Sequence, residues 1–276
     1  MKQYSYYQDL FSVVGKTAIV TGASGTGQGL GRVFAIALAK AGANVVICSR
    51  NTERLEETKA MIQAVSDVDV TALNCDVRDA KDVKNVVAVT MAKYGKIDIL
   101  VNNAGIPLVK NFFDYTLEDW NLVMETNMTG MFLFTQEVGR HMKERGYGKI
   151  INLASINAHS VTRCNTVYVT SKGAIRQFTK AVACDLIKYG INVHSISPGI
   201  FIKPENIAND PDDNHKIGFA VAGQAMKRTA RLEEIEGALL YLASDASSYC
   251  VGTDILVDGG ITSLCYENPD LFSEVL

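Results

Sequence analysis

The chain has 276 residues, of which 47% are apolar and 21% charged, and its net charge is −3, a balance typical of a globular protein. The slight acidity argues against a nucleic-acid partner, because phosphate binding requires clustered Lys and Arg. No apolar run reaches the roughly 20 residues of a membrane helix, no signal-peptide core begins the chain, and no metal-ligand spacing occurs among the scattered cysteines, so we expect a cytoplasmic protein with free thiols and no metal.

Short β-branched runs alternate with longer helical patterns along the chain. The strand candidates are 17–20, 44–48, 70–74, 97–101, 149–153, 192–196 and 254–257. Between the first two, residues 30–41 keep one apolar face at helical spacing. Strands of mostly apolar residues separated by helices are typical of a parallel sheet that is covered on both faces. We find no repeat or linker that would divide residues 1–276 into two domains.

A glycine-rich segment follows the first strand candidate, with five glycines between Gly22 and Gly31. Such a turn from a strand to a helix brings backbone N–H groups and the positive helix end to one point, which suits a pyrophosphate. The strict G-x-G-x-x-G spelling is absent. The segment alone therefore leaves two alternatives, a phosphate cradle and an ordinary turn.

Three other motifs occupy informative places. The run Asn102-Asn103-Ala104-Gly105 follows one strand candidate, and Ser155 follows another. Tyr168 and Lys172 lie four residues apart in a helical stretch, so they face the same side. One such Tyr/Lys pair is expected by chance, but the order and context of all the pieces are far more specific.

Together these pieces resemble the short-chain dehydrogenases/reductases over about residues 12–260. The other matching pieces are GLGR from Gly29, Asp76 with Val77, Asn127, Pro198 with Gly199, and GTDILVDGG at 252–260. The resemblance implies an α/β fold: one Rossmann-type, doubly wound parallel sheet of seven strands with helices on both faces. It also implies hydride transfer between a nicotinamide cofactor and an alcohol/carbonyl pair, and a homotetramer in which the helices of 117–145 and 166–189 pair across an axis.

The glycine segment departs from the family pattern TGxxxGxG. Because the residues from Gly29 onward fit the family's helix start, three extra residues separate them from Gly22. Gly25 and Gly27 then belong to the insertion. By resemblance, the cofactor-binding residues are Gly22, Gly29, Leu30, Gly31, Ser49, Arg50, Asp76, Val77, Asn103, Ala104, Gly105, Tyr168, Lys172, Pro198 and Gly199.

The end of the second strand candidate bears on cofactor choice. A carboxylate there would accept from the ribose 2′-OH of NAD and repel a 2′-phosphate. Ser49 stands in that place instead, and Arg50 follows it. Since arginine pairs with phosphate, NADP(H) is favoured over NAD(H). By resemblance, Asp76 takes the adenine amino group.

The catalytic candidates follow from the chemistry of a carbonyl/alcohol exchange, which needs a proton donor beside the substrate oxygen. Tyr168 is the proposed acid/base, and the positive charge of Lys172 would favour its phenolate. Ser155 can polarise the substrate oxygen by a hydrogen bond. By resemblance, Lys172 also holds the nicotinamide ribose, and Asn127 anchors a water chain that carries the proton away.

The substrate is the least constrained feature. The chain is most similar to the sugar-acid and polyol branch of the family, which implies a ketose, polyol or keto-sugar acid. The candidate substrate ligands, all able to bind hydroxyls or a carboxylate, are Ser155, Asn157, His159, Arg163 and Lys203. Reduction of 3-oxoacyl groups or of a steroid is an alternative, and a non-catalytic dinucleotide sensor is a remote one.

Two late segments complete the sequence predictions. Residues 199–230, rich in Pro, Asp and Asn, are read either as a substrate lid or as a surface loop. The tail at 261–276 is read either as docking on a neighbouring subunit or as disordered.

Overall fold

The computed structural model describes residues 6, 8–25, 29–201 and 223–264. Within these ranges a single sheet of seven parallel strands has the order β3-β2-β1-β4-β5-β6-β7. The strands are β1 (Thr17–Thr21), β2 (Asn44–Ser49), β3 (Val70–Asn74), β4 (Ile99–Asn102), β5 (Gly148–Leu153), β6 (Ile191–Pro198) and β7 (Asp254–Val257). The predicted fold class is confirmed.

Helices connect consecutive strands and cover both faces of the sheet. They are α1 (Leu30–Lys40), α2 (Thr52–Gln63), α3 (Ala80–Tyr94), α4 (Leu117–Met124), α5 (Gly130–Arg145), α6 (Thr166–Leu186) and α7 (Glu236–Ala243). A π-helical turn, Glu125–Thr129, joins α4 to α5 without a break. None of the helices in the described ranges is both long enough and apolar enough to cross a membrane.

The core has two halves because successive residues of each strand point to opposite faces. Phe34 of α1 and Leu239 of α7 belong to the cluster on one face, together with the side chains of Ala18 and Val20. On the other face, Phe134 of α5 packs in the cluster that contains Ile19. The strands are therefore apolar on both sides, which is why they read as continuous apolar runs rather than as alternating ones.

Each predicted strand lies within two residues of the observed bounds at both ends. β4 begins at Ile99 rather than at residue 97. The residue between them, Asp98, is buried, and its carboxylate accepts from the backbone N–H of Thr17 at 2.8 Å. It also pairs with Arg145 at 3.0 Å. The side chain of Asp98, just before β4, therefore accepts the hydrogen bond from the first backbone N–H of β1. β6 extends two residues further than predicted, to Pro198.

The strand order identifies where a ligand would lie. β1 pairs with β2 on one side and with β4 on the other. The chain therefore leaves β1 towards β2 and leaves β4 towards β5, in opposite directions along the sheet. In open α/β sheets the crevice at this point, beyond the carboxyl ends of the strands, is the usual ligand site. The glycine-rich turn follows β1 and the Asn-Asn-Ala-Gly turn follows β4, so both predicted motifs border this crevice.

Candidate functional site

A cleft of about 900 Å³ opens at the carboxyl ends of β1 and β4. Its lining includes twelve of the predicted cofactor residues: Gly22, Gly29, Leu30, Gly31, Ser49, Arg50, Asp76, Val77, Asn103, Ala104, Gly105 and Lys172. It also includes residues that were not predicted: Ser24, Asn51, Thr52, Cys75, Ile106, Pro107, Thr126 and Leu153. Most of the latter are sequence neighbours of predicted residues, which is the signal that could have found them.

The turn after β1 keeps side chains away from the cleft floor. Gly29, in the left-handed region with a φ of 78°, is the N-cap of α1, and no side chain caps this helix end. A Cβ on Gly31 would lie 2.4 Å from both Asn103 Nδ2 and the Gly22 carbonyl oxygen, so only glycine fits there. An uncapped helix N-terminus with bare backbone beside it is suited to an anion.

Thr21 links the two turns that border the cleft, a role that the sequence reasoning missed. Its hydroxyl accepts from the backbone N–H groups of Asn103 and Ala104, each at 3.0 Å. In return, Asn103 Nδ2 donates to the carbonyls of Thr21 and Gly22 at 2.9 and 3.1 Å. Each turn is therefore held by hydrogen bonds from the other, across some 80 residues of sequence.

The beginning of the inserted segment is anchored to α2. Arg32 Nη2 donates to the Ser24 carbonyl at 3.2 Å and pairs with Glu57 at 3.0 Å. Its Nε donates to Thr58 Oγ1 at 2.9 Å. Ser24, directly before Gly25 of the insertion, thus lies against the helix that follows β2. Gly27 lies outside the described residues.

The other end of the cleft is formed by the end of β2 and the N-terminus of α2. Ser49 is buried, and its Oγ accepts from the Asn51 N–H at 3.2 Å. Asn51 caps α2 by accepting from the Arg54 N–H at 2.9 Å. The side chain of Arg50 lines the cleft and makes no hydrogen bond or ion pair with the described part of the chain. This end therefore carries a positive side chain and a positive helix end.

Asp76 has a partner that the sequence did not indicate. Arg78 donates to its carboxylate from the backbone N–H at 3.0 Å and from the guanidinium at distances down to 2.6 Å. The Arg78 guanidinium holds the pKa of Asp76 below its ordinary value, chiefly through these hydrogen bonds. Asp76 lines the cleft as predicted, but its adenine contact stays a prediction.

Ser155, Tyr168 and Lys172 come together beside the cleft. Ser155 follows β5 and is buried, and its Oγ accepts from the Asn157 N–H at 3.1 Å. Tyr168 and Lys172 lie one turn apart on α6, with Lys172 Nζ 5.5 Å from the centre of the Tyr168 ring. Nζ donates to the Leu153 carbonyl at 2.6 Å, which fixes α6 against the end of β5.

Burial dominates the electrostatics of this group. It raises the pKa of Tyr168, and a hydrogen bond with the Ser155 hydroxyl partly offsets the rise. Burial also lowers the pKa of Lys172 to about 7. A low-dielectric site disfavours the ammonium and the phenolate alike. That the Lys172 charge favours the Tyr168 phenolate stays a prediction.

Asn127 lies in the π-helical turn, fully buried. Its Oδ1 accepts from the Ile106 N–H at 2.8 Å, and its Nδ2 donates to the Ile106 carbonyl at 3.1 Å and to Ser171 Oγ at 2.9 Å. Ser171 Oγ in turn donates to the Tyr168 carbonyl at 2.7 Å. Asn127 thus joins the turn after β4 to the helix that carries Tyr168. Local π-turns of this kind are common at functional sites.

A family model described as enoyl-(acyl carrier protein) reductase matches residues 24–262. A gluconate 5-dehydrogenase of Gluconobacter oxydans (strain 621H) is 36% identical over 93% of this chain and 98% of its own length. The chain belongs to the short-chain dehydrogenase/reductase family. It is therefore an oxidoreductase, as its motifs predicted.

Solved structures of family members have the same fold. A gluconate 5-dehydrogenase from Burkholderia cenocepacia J2315, in complex with NADP and tartrate, is 33% identical with a TM-score of 0.83 and covers 93% of this chain and 99% of its own. An NAD⁺-bound xylitol dehydrogenase is 31% identical with a TM-score of 0.82, over 90% and 99% of the two chains. Relatives from the sugar-acid and polyol branch thus include both an NADP-bound and an NAD⁺-bound protein.

The candidate substrate ligands of this short-chain dehydrogenase/reductase differ in their surroundings. Asn157 Oδ1 accepts from the Thr162 hydroxyl at 2.9 Å, so part of its amide is used within its own loop. Arg163 is exposed and makes no hydrogen bond or ion pair in the described ranges. His159 Nε2 lies 2.6 Å from a carboxylate oxygen of Asp254. Lys203 lies outside the described residues.

Three other predictions concern the end of β6 and the segments beyond it. Pro198 ends β6, and a Cβ on Gly199 would lie 2.7 Å from the Cα of Asp258, so this turn packs against the residue after β7. Neither of them lines the cleft. The lid prediction for 199–230 lies largely outside the described residues, and so does the tail prediction beyond residue 264.

Proposed function

We propose that this protein is an NADP(H)-dependent oxidoreductase that interconverts a ketone and a secondary alcohol on a polyhydroxylated substrate, either a ketose/polyol pair or a keto-sugar acid. The observation that carries the proposal is the convergence of Ser155, Tyr168 and Lys172 at the edge of a glycine-floored cleft. Many such clefts bind ligands, but an acid/base tyrosine next to a polarising serine suits carbonyl chemistry.

The residues of the cleft fit a dinucleotide. The bare backbone of Gly29 and the uncapped N-terminus of α1 would hold a pyrophosphate, and Gly31 lets this turn pack against Gly22 and Asn103 without a side chain. At the other end, Arg50 and the N-terminus of α2 would hold a ribose 2′-phosphate. Lys172, at the cleft wall nearest Tyr168, would hold the nicotinamide ribose. When bound, the cofactor supplies or accepts the hydride.

The residues of the chain would carry out the remaining steps. In reduction, the Tyr168 hydroxyl donates its proton to the oxygen of the former carbonyl, and Ser155 holds that oxygen by a hydrogen bond. In oxidation, Tyr168 takes the alcohol proton. Asn127 keeps α6 and the turn after β4 in register, so that the Tyr168 hydroxyl stays beside Ser155.

The substrate class is proposed from two kinds of support. The similarity to gluconate 5-dehydrogenase covers nearly the whole chain, and a structural relative holds tartrate, a hydroxylated dicarboxylate. In this chain, Arg163 projects from the loop between Ser155 and Tyr168 without a partner in the described ranges, and an arginine fork matches a carboxylate.

The substrate is tested by a turnover panel with NADPH: 5-ketogluconate, fructose, sorbose, an oxoacyl thioester and a keto-steroid. We expect turnover of the sugar acid or the ketoses. For a sugar acid, Arg163→Ala should lower kcat/KM by roughly 10- to 150-fold, because a charge-assisted hydrogen bond is lost. For a neutral ketose the same variant should change it little. Activity confined to the thioester or the steroid would overturn the proposed substrate class.

The cofactor preference is tested separately with Arg50→Asp. We expect the preference to move from NADPH to NADH, since the new carboxylate repels a 2′-phosphate and accepts from a 2′-OH. Arg54→Asp, on an exposed position of α2 that does not line the cleft, is the matched control. A wild-type enzyme that already prefers NADH would contradict the assignment of Ser49 and Arg50.

We further propose a homotetramer in the cytoplasm, where a reducing environment keeps thiols such as Cys48 free. The support for assembly is apolar exposure along the α4–α5 segment: Leu117 is 69% exposed and Phe132 45%. Light scattering coupled to size exclusion gives the mass directly. A monomer mass at micromolar concentration would overturn the assembly.

A further inference from the structure

A buried carboxylate links β7 to the loop between the two proposed catalytic side chains. Asp254, at the start of β7, has a side chain that is 6% exposed. It accepts from Ser195 Oγ at 2.6 Å and from Ser197 Oγ at 2.9 Å, both on β6. His159 Nε2 lies 2.6 Å from Oδ2 of this carboxylate, the oxygen that also accepts from Ser197. The hydroxyls thus hold the carboxylate in place for the imidazole.

The loop that carries His159 has few other attachments to the body of the protein. It begins with a short 3₁₀ turn, Ile156–Ala158, and residues 159–164 are all exposed as whole residues. Its other attachments lie at the far end, where the Cys164 carbonyl accepts from the Lys110 N–H at 2.8 Å and from the Tyr115 hydroxyl at 3.1 Å, and Cys164 Sγ donates to Asn111 Oδ1 at 3.6 Å. In contrast to its neighbours, the His159 side chain is only 17% exposed. His159 is therefore the side-chain anchor in the first half of this loop.

The same carboxylate lies next to the helix that carries Tyr168. Arg176 follows Tyr168 and Lys172 at the same four-residue spacing, so all three share one face of α6. Its Nε is 3.9 Å from Asp254 Oδ2, and this buried nitrogen makes no hydrogen bond. Asp254 therefore receives a close contact from the loop and a longer one from the helix.

We propose that His159 is a positioning residue for the reaction rather than a substrate ligand. By holding Asp254, it fixes the path of the loop between Ser155 and Tyr168 and so shapes the wall that faces the substrate. The part that the loop plays in substrate binding rests on the proposed function. The contact between His159 and Asp254 that holds the loop does not. We expect cofactor binding, which the proposed function places on the cleft side of Lys172, to be independent of it.

Two variants and one control test the proposal. His159→Ala removes the contact, whereas His159→Gln keeps a side-chain N–H donor of similar reach. Ser160→Ala, in the same loop, removes only a hydrogen bond made within the loop, to the Ile156 carbonyl. For each protein we would measure hydrogen exchange at residues 156–165, the dissociation constant of NADPH, and KM and kcat for the best substrate of the panel.

In His159→Ala we expect faster exchange in the loop and unchanged NADPH affinity. The substrate KM should rise by about tenfold, as for a loop that holds its substrate-facing path only about a tenth of the time. His159→Gln should recover most of the KM, and Ser160→Ala should resemble wild type. Unchanged loop exchange in His159→Ala would overturn the proposal, and so would an equal loss of NADPH affinity. If wild type turns over no member of the panel, the proposed function fails, while the exchange measurement still decides how the loop is held.

Discussion

Replacing Lys172 by Met should stabilise the protein at neutral pH while abolishing turnover. The Lys172 side chain is 4% exposed, and burial lowers its pKa from 10.5 to about 7. Because the unfolded chain binds this proton more tightly than the folded one, protonation favours unfolding at every pH below about 10. This difference in pKa between the folded and unfolded chain lowers the free energy of unfolding by about 4 kcal/mol at pH 7.

Part of that gain is offset. The variant loses the hydrogen bond from Nζ to the Leu153 carbonyl, worth about 1 kcal/mol, or more if the carbonyl stays buried without a donor. Methionine fills a similar volume without a charge. We therefore expect a net rise of about 2 kcal/mol in the free energy of unfolding at pH 7, a trade of stability for function that is common at active sites.

Urea denaturation at a fixed protein concentration, between pH 6 and 10, would measure this rise. The gain should be largest at and below pH 7, and it should shrink as the pH approaches 10.5, where the unfolded wild-type chain loses the same proton. Lys180→Met, at an exposed position of the same helix, is the control and should change little. A Lys172→Met protein that is less stable than wild type at pH 7, or a gain that does not vary with pH, would refute the reasoning.

Three further predictions concern substitutions in the cleft floor and in the loop. Gly31→Ala should cost about 1–3 kcal/mol by overpacking and should weaken NADPH binding. Gly237→Ala, in helix α7 and with nothing within 4 Å of its Cβ, should leave NADPH binding unchanged and raise the melting temperature slightly in the same assays. Thr21→Val should lower the free energy of unfolding by about 1–3 kcal/mol, because two backbone N–H groups lose their acceptor, and Thr21→Ser should restore it. Cys164, with a φ of 59°, should accept Asn with a higher melting temperature but Val with a lower one, since a β-branched residue is disfavoured there.

Much of the fold and of the site follows from local patterns. The alternation of short apolar runs with helical stretches is enough for a parallel sheet covered on both faces, because burial on both sides leaves no polar alternation in the strands. The catalytic candidates are equally visible, since Tyr168 and Lys172 share a helix face by spacing alone. The order of the motifs along the chain is that of the family to which the chain belongs. Twelve of the predicted cofactor residues line the cleft.

What the sequence did not determine depends on partners that are distant along the chain. No local pattern indicates that Thr21 would hold the turn at Asn103, or that His159 would bind the carboxylate of Asp254, 95 residues later. The lowered pKa of Lys172 was not predictable for the same reason, because its burial is a property of the assembled site. The sequence by itself determined the sheet, the order of its motifs and the candidates for the reacting side chains, since these depend on periodicity and spacing. Tertiary structure alone decided which polar groups satisfy one another and how much charge the site tolerates, since hydrogen bonding and desolvation act through space.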